Sequence, residues 1–406
     1  MTSWSRTYDG RGVRLLPFPG VRPFHGLFAA APAEVVEGMR AAAQAPFVGL
    51  TADGEPRPAL YAANGPSAVD PAVVGAIGSA QAFLDTVDQL DFRQYVQQPF
   101  DSWHRRSWFN AAPLYLPAGV LLDDMRPEQQ VAALAIVEHC LSPAGYQLVR
   151  RSMQVNEAMG GIFNFYADTL REWAVWFTIF GEPSVDQPWG WQLMGTHIDI
   201  NCTVAAGTVM LEPLFLGAEL AQIKSGPYEG LSLYEPERDA GLALGRTLTG
   251  RQRDQAVLYP SMRSADLPPE IGGPVDGRHV GGAGRDNQVV PYQGVPVVDL
   301  STEQRSLLLE LIGVYLDRLP ERRRQQRWTE VREHLDETHV AWIGDPDRVP
   351  FYYRVHGPTI WIEFDHHPSL MLDGDNEPED KHVHTIMRAP NGGDYGMALI
   401  GSAPDA

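Results

Sequence analysis

The chain has 406 residues, 44% of them hydrophobic and 20% charged, and a formal charge of −19. That size and composition suit a folded protein whose core needs no disulfide or structural metal, and the two cysteines, Cys140 and Cys202, are too few for a disulfide framework and read as two separate buried thiols. The negative charge repels phosphate backbones and anionic lipid, no apolar run has signal-peptide or membrane-spanning length, and the expectation is a cytoplasmic protein with no nucleic-acid or membrane partner.

Asp70-Pro71 opens a segment in which Val73, Ile77, Ala80, Phe83 and Leu84 recur at helical spacing. Two more helices follow, one from Asp124 or Arg126-Pro127 to Leu141, with proline suited to its first turn, and one from Pro143 to about Gly160. From Trp173 the texture is strand-like: Trp173–Phe180, Trp189–Val204 and Val209–Leu216, broken by Gly and Pro. Helices return at Glu235–Leu248 and Ser301–Leu319, the second opened by a Ser-x-x-Gln capping pattern at Ser301 and Gln304.

Between them, residues 260–297 are rich in Pro and Gly, including Ile271-Gly-Gly-Pro274 and Gly281-Gly-Ala-Gly284, and a stretch that long reads as a loop or lid. No strand and helix flank those glycines, so a phosphate cradle is excluded. The basic run Arg322-Arg323-Arg324 reads as the solvated face of a helix. The last third is again strand-like at Thr338–Ile343, Phe351–His356, Thr359–Asp365 and His382–Arg388. These elements predict an α+β fold, one large domain over residues 1–406. It has a helix-rich part at about 70–160 and a mostly antiparallel sheet assembled from central strands (about 173–218) and C-terminal strands (about 338–390).

The strongest chemical signal is Lys381-His-Val-His384. Residues two apart on a strand share a face and lie roughly 7 Å apart, so His382 and His384 can converge on one ion. In Thr359–His367 the same alternation puts Glu363 and Asp365 on one face and Ile360, Ile362 and Phe364 on the other. A buried carboxylate needs a partner or a cation, and Glu363 is taken as the ligand.

In Gly195-Thr-His-Ile-Asp-Ile-Asn201, His197 is a further ligand, with Asp199 or Asn201 placed to orient one. His339, His366 and His367 are further possible ligands, and Arg354 and His356 project from the strand between. Any one of these histidines alone is ordinarily a satisfied side chain. The His-x-His pair together with Glu363 and His197 points to a transition-metal site, the alternative being a buried polar network without metal.

These segments resemble a group of bacterial and fungal proteins catalogued as domain of unknown function 3500, from about Trp108 to the C-terminus. The resemblance rests on Trp108 with Asn110, Leu141-Ser-Pro-Ala-Gly-Tyr146, Pro188-Trp-Gly-Trp191 leading to Gly195–Asn201, Pro213-Leu-Phe-Leu-Gly-Ala218, His339–Trp342, Tyr352–Arg354, Glu363–Asp365, and His382–His384 with Arg388. Two positions depart from the family pattern: Thr196 stands where the family has the first histidine of Gly-His-His, and His366-His367 where it has Asn-Thr. Either one of that pair replaces the lost imidazole, or the site is retuned for a different substrate.

Histidines with a carboxylate suit one ion of Fe, Cu, Mn or Zn. With a redox-active ion the expectation is an oxygen-activating oxidoreductase acting on a small apolar or aromatic molecule. Trp189, Trp191, Trp342, Tyr352, Tyr353 and Trp361 would line its pocket, and Arg354 or Arg388 would hold a substrate carboxylate. With zinc it would be an amide or ester hydrolase in which Glu363 or Asp199 serves as the base. A non-catalytic metal or small-molecule binder would show a closed ligand sphere. Neither Gly-x-Ser-x-Gly nor His-Glu-x-x-His occurs.

Overall fold

The computed structural model describes residues 5–9, 12–16, 33–61, 69–87, 93–110, 118–162, 170–272, 278–368 and 377–401. The end of the Ile271–Pro274 segment and residues 369–376 of the expected joint before the last strand lie outside them. Eight strands build most of a 13-stranded sheet. They are β1 (Val175–Phe180), β2 (Trp189–Gly195), β3 (Ile198–Ala205), β4 (Leu214–Ala218), β5 (His339–Gly344), β6 (Phe351–His356), β7 (Trp361–Pro368) and β8 (Pro378–Arg388).

In space the order is β5-β6-β7-β8-β4-β3-β2-β1, every neighbouring pair antiparallel, with short parallel strands Val257–Tyr259 and Gln97–Gln98 at the two edges. The fold is therefore α+β, its sheet drawn from two stretches of chain that meet where β8 pairs with β4. That junction brings His384 beside Gly217.

Strand alternation sends Trp189, Trp191, Leu193, Val340, Trp342, Tyr353, Val355, Ile362, Phe364, Val383 and Met387 into one large core under the helices. Each such side chain, fully buried, contributes about 1.5–3 kcal/mol. The helices on that side are α1 (Pro71–Val87), α2 (Pro127–Cys140), α3 (Pro143–Ile162), α4 (Glu235–Thr247), α5 (Thr302–Leu316) and α6 (Glu321–Glu333). Asp70 caps α1, its Oδ1 accepting from the Ala72 N–H at 2.9 Å. The Ser301–Gln304 capping box opens α5, with reciprocal bonds of 3.2 and 2.8 Å.

The other face of the sheet carries the buried polar residues beside an apolar patch that includes Met194, Phe215 and Ile386, and is covered by irregular chain: Thr51 pairs with Val289, Asn391 N–H donates to Leu50 O, and Tyr395 N–H donates to Glu212 O.

Three expectations change. The run Trp189–Val204 is a hairpin, broken by a two-residue turn at Thr196-His197. The basic run lies on a helix, but Arg323 of the run and Arg327 four residues on are buried, paired with buried Glu212 and part-buried Glu330. Cys140 and Cys202 are free and buried but are neighbours, and burial together with the Cys140 thiol pushes Cys202 up.

Candidate metal centre

Register places the polar residues. Asp365 on β7 is opposite His384 on β8, which is opposite Gly217 on β4. Alternation then puts Asp365, His367, His382 and His384 on the same face. Gly217 is glycine for a steric reason: an added Cβ would lie 2.6 Å from Val383 O, 3.0 Å from His384 Cδ2 and 3.3 Å from His197 Cδ2. Two imidazoles use the space a side chain would fill.

His197 reaches that space from the β2–β3 turn. Its φ of 61° is left-handed, a conformation that costs a non-glycine residue on the order of 1 kcal/mol and persists only when its surroundings fix it. Here they do: His197 N–H donates to Asn110 O at 2.9 Å, His197 O accepts from Gly217 N–H at 2.9 Å, and Asn156 Nδ2 donates to Thr196 O at 3.0 Å.

Hydrogen bonding sets the state of His382. Its Nδ1 faces Pro368 O at 2.8 Å. A carbonyl oxygen only accepts, so Nδ1 carries the proton. Burial, followed by the nearby His384, His367 and His197, holds His382 well below its ordinary pKa, so the ring is neutral and Nε2 presents a lone pair. That Nε2 lies 3.0 Å from His197 Nε2 and 2.9 Å from His384 Nε2. The ligand atoms of all three residues fall within 4.8 Å of one another.

A second set of ligand atoms within the same limit comprises His279, Asp365 and His384. His279 Nε2 is 3.7 Å from Asp365 Oδ2, and His367 Nδ1 donates to that oxygen at 2.7 Å. Burial would raise the Asp365 pKa, but Arg278, with Nη1 at 3.9 Å, and His367 outweigh it and hold the carboxylate at about 2. It is ionised throughout the neutral range. His367 also stacks on His384 with ring centroids 4.4 Å apart, whereas His366 turns to the opposite face, where Nδ1 meets Phe351 and burial lowers it to about 4. Of the His366-His367 pair, His367 is the one beside the histidine cluster.

Of the residues singled out in the sequence, the structure gathers His197, His382, His384 and His367. Glu363 lies outside both sets: Oε1 accepts from Val280 N–H (2.8 Å) and Tyr352 OH (2.6 Å), Oε2 from Gly281 N–H and Trp361 Nε1 (both 2.9 Å). Four donors fill its lone pairs, and two of them directly follow His279, so Glu363 anchors the loop that carries that histidine. Arg388 is fully buried against Asp394, Asp286 and Gly281 O. Arg354 donates to Gln293 and packs over Trp361.

His339 sits three strands from β8, stacked on Tyr292, and is partly exposed. Asp199 is wholly buried on the polar face, paired in register with Phe215. Asn201 is tied to Gln192 and Pro213 O. Four of the six aromatics expected around a substrate, Trp189, Trp191, Trp342 and Tyr353, belong to the helix-side core, because alternation turns them away from the histidines. A cavity of about 550 Å³ between α3 and residues 220–234, lined in part by Tyr228, Arg238 and Lys381, contains none of the site histidines.

His279 is the residue that sequence reading passed over. Its only signal is a histidine within the glycine-rich loop, flanked by Arg278 and Val280-Gly-Gly282, and burial on the sheet is not visible from that pattern.

The family model described as protein of unknown function (DUF3500) matches residues 72–397. The chain belongs to this family. The match takes in all of helix α1 after Pro71 as well as every strand and site histidine named above. No curated protein and no solved structure matches the chain. Among the described residues no helix is long and apolar enough to cross a membrane.

Proposed function

We propose that this member of the family is a metal-dependent enzyme, an oxygen-activating oxidoreductase acting on a small apolar or aromatic molecule, with a transition-metal ion held by His197, His382 and His384. The observation that carries the reading is the convergence of three Nε2 atoms about His382, whose proton Pro368 O keeps on the far nitrogen. Nitrogen lone pairs facing one another repel unless a proton or a cation lies between them, and second-side hydrogen bonding of this kind is what ligating histidines have.

Histidine nitrogens suit iron, copper, manganese and zinc. A redox-active ion held by these residues would supply activation of dioxygen and one-electron chemistry.

The chain's own residues supply the surroundings. His197, His382 and His384 are only 3–6% exposed, so bulk water is largely excluded. Phe215 lies edge-on to His384 at 5.1 Å and belongs to an apolar cluster with Trp108, Trp176 and Met194, a wall suited to an apolar or aromatic group. Gly217 leaves the rings room to stand side by side.

The test is dioxygen uptake in an oxygen electrode, with ascorbate as electron donor, by tag-free protein loaded in turn with Fe(II), Cu(II), Mn(II) or Zn(II). Uptake with one redox-active ion, abolished by His197→Ala, is the expected result. No uptake with any of them, together with hydrolysis of p-nitrophenyl acetate by the zinc-loaded protein, would replace the oxidoreductase with a hydrolase.

A further inference from the structure

We infer that the centre is dinuclear, with a second transition-metal ion held by His279, Asp365 and His384, so that the His384 ring bridges the two ions. The inference rests on the proposed first site and extends it.

Ring geometry leads to it. His384 belongs to both ligand sets, and its Nε2 faces the first, 2.9 Å from His382 Nε2. An imidazole has two nitrogens on different sides of the ring, so an ion bound at the second set while the first is filled must take Nδ1. His384 would then bind as an imidazolate, its ring proton passing to solvent as the second ion enters.

The carboxylate is an independent observation. Asp365 is wholly buried, and among the described residues its Oδ1 has no hydrogen-bond partner, while Oδ2 accepts from His367. A buried carboxylate oxygen left without a donor is costly. An ion beside His279 and His384 would neutralise this carboxylate, whose Oδ2 lies 3.7 Å from His279 Nε2, and would give it the partner that Oδ1 lacks. Arg278 Nη1 stays 3.9 Å from Oδ2, beyond hydrogen-bond length, while its Nη2 donates to Met262 O and Ser264.

Two histidines and one carboxylate form a set suited to Fe, Mn, Cu or Zn, beside a first set of three histidines. The chain thus offers two chemically different positions sharing one ring. Glu363 acts as a positioning residue for the second, since it grips the two N–H groups that follow His279.

The experiment is a copper(II) titration of tag-free, metal-stripped protein, counted by mass spectrometry and followed by electron paramagnetic resonance, with His279→Ala and Asp365→Asn beside wild type. Two ions per chain in wild type, magnetically coupled, falling to one uncoupled ion in each variant, is the expected result. The wild-type count stands alone should His279→Ala fail to fold, and Asp365→Asn preserves shape. One ion in wild type that both variants retain overturns the second site and leaves the first standing; one ion that both variants lose overturns the two-ion centre and assigns the ion to His279 and Asp365 instead of the first set. No ion in wild type overturns the reading on which both depend.

Discussion

Two patches of buried polar groups lie on the same face of the sheet, a few residues apart along β7 and β8, and they are built in opposite ways. In the patch around Arg388, charges and donors are matched. Asp394 accepts from Arg388 Nε at 2.7 Å and from Ala389 N–H at 2.8 Å; Asp286 accepts from Arg388 Nη2, Arg106 Nε and Tyr395 OH. In the patch around His384, three Nε2 atoms meet about a single His382 lone pair, and an ionised Asp365 has one oxygen with no donor among the described residues. Burial and polarity are common to both; the carboxylate oxygen without a donor sets the second patch apart, and in the function proposed above a cation offsets it.

Substitutions can break or sharpen that contrast. The largest effect is expected in the matched patch: Arg388→Met strands two buried carboxylates and should lower stability by about 3–5 kcal/mol in urea unfolding. An effect below about 1 kcal/mol would mean that the network is not the tie described. Gly217→Ala pushes a methyl against Val383 O and both imidazoles. It should cost about 1–3 kcal/mol by overpacking and weaken metal binding about 10–100-fold; unchanged affinity by calorimetry would remove Gly217 from the site.

Glu363→Gln should cost about 1–3 kcal/mol and speed amide exchange at Val280 and Gly281, and unchanged exchange there would show that the loop is held by other contacts. The smallest effect concerns pH. Burial first, then Arg354 and His339, hold His356 well below its ordinary pKa, so the fold binds fewer protons here than the unfolded chain does. Wild type should therefore lose stability as pH falls below about 6.5, the unfolded value. His356→Phe should flatten the fall of Tm between pH 7 and pH 5, and an identical slope would contradict the assignment.

The fold was legible where a short period or a cap decides it. Asp70-Pro71, Pro127 and Ser301 with Gln304 mark helix starts that the structure keeps. The two-residue alternation through His382–Arg388 and Thr359–Asp365 gives the correct face for each side chain. Register was not legible. Glu363 and Asp365 share a pleat, and only the pairing of Asp365 with His384 puts the second carboxylate, rather than the first, beside the histidines. The turn at Thr196-His197 was hidden because its flanks alternate like a continuous strand. His279 was hidden because a loop has no period, and its place is set by distant contacts to Glu363.

The most direct test of the central claim is metal analysis by mass spectrometry on tag-free protein, comparing wild type with the His382→Ala/His384→Ala double variant, with circular dichroism to confirm that both are folded. The account predicts a near-stoichiometric or higher content of a redox-active transition metal in wild type and its loss in a folded double variant. Wild type that holds no metal even after reconstitution, or a double variant that keeps it, would contradict the account and leave the histidines as a buried polar cluster.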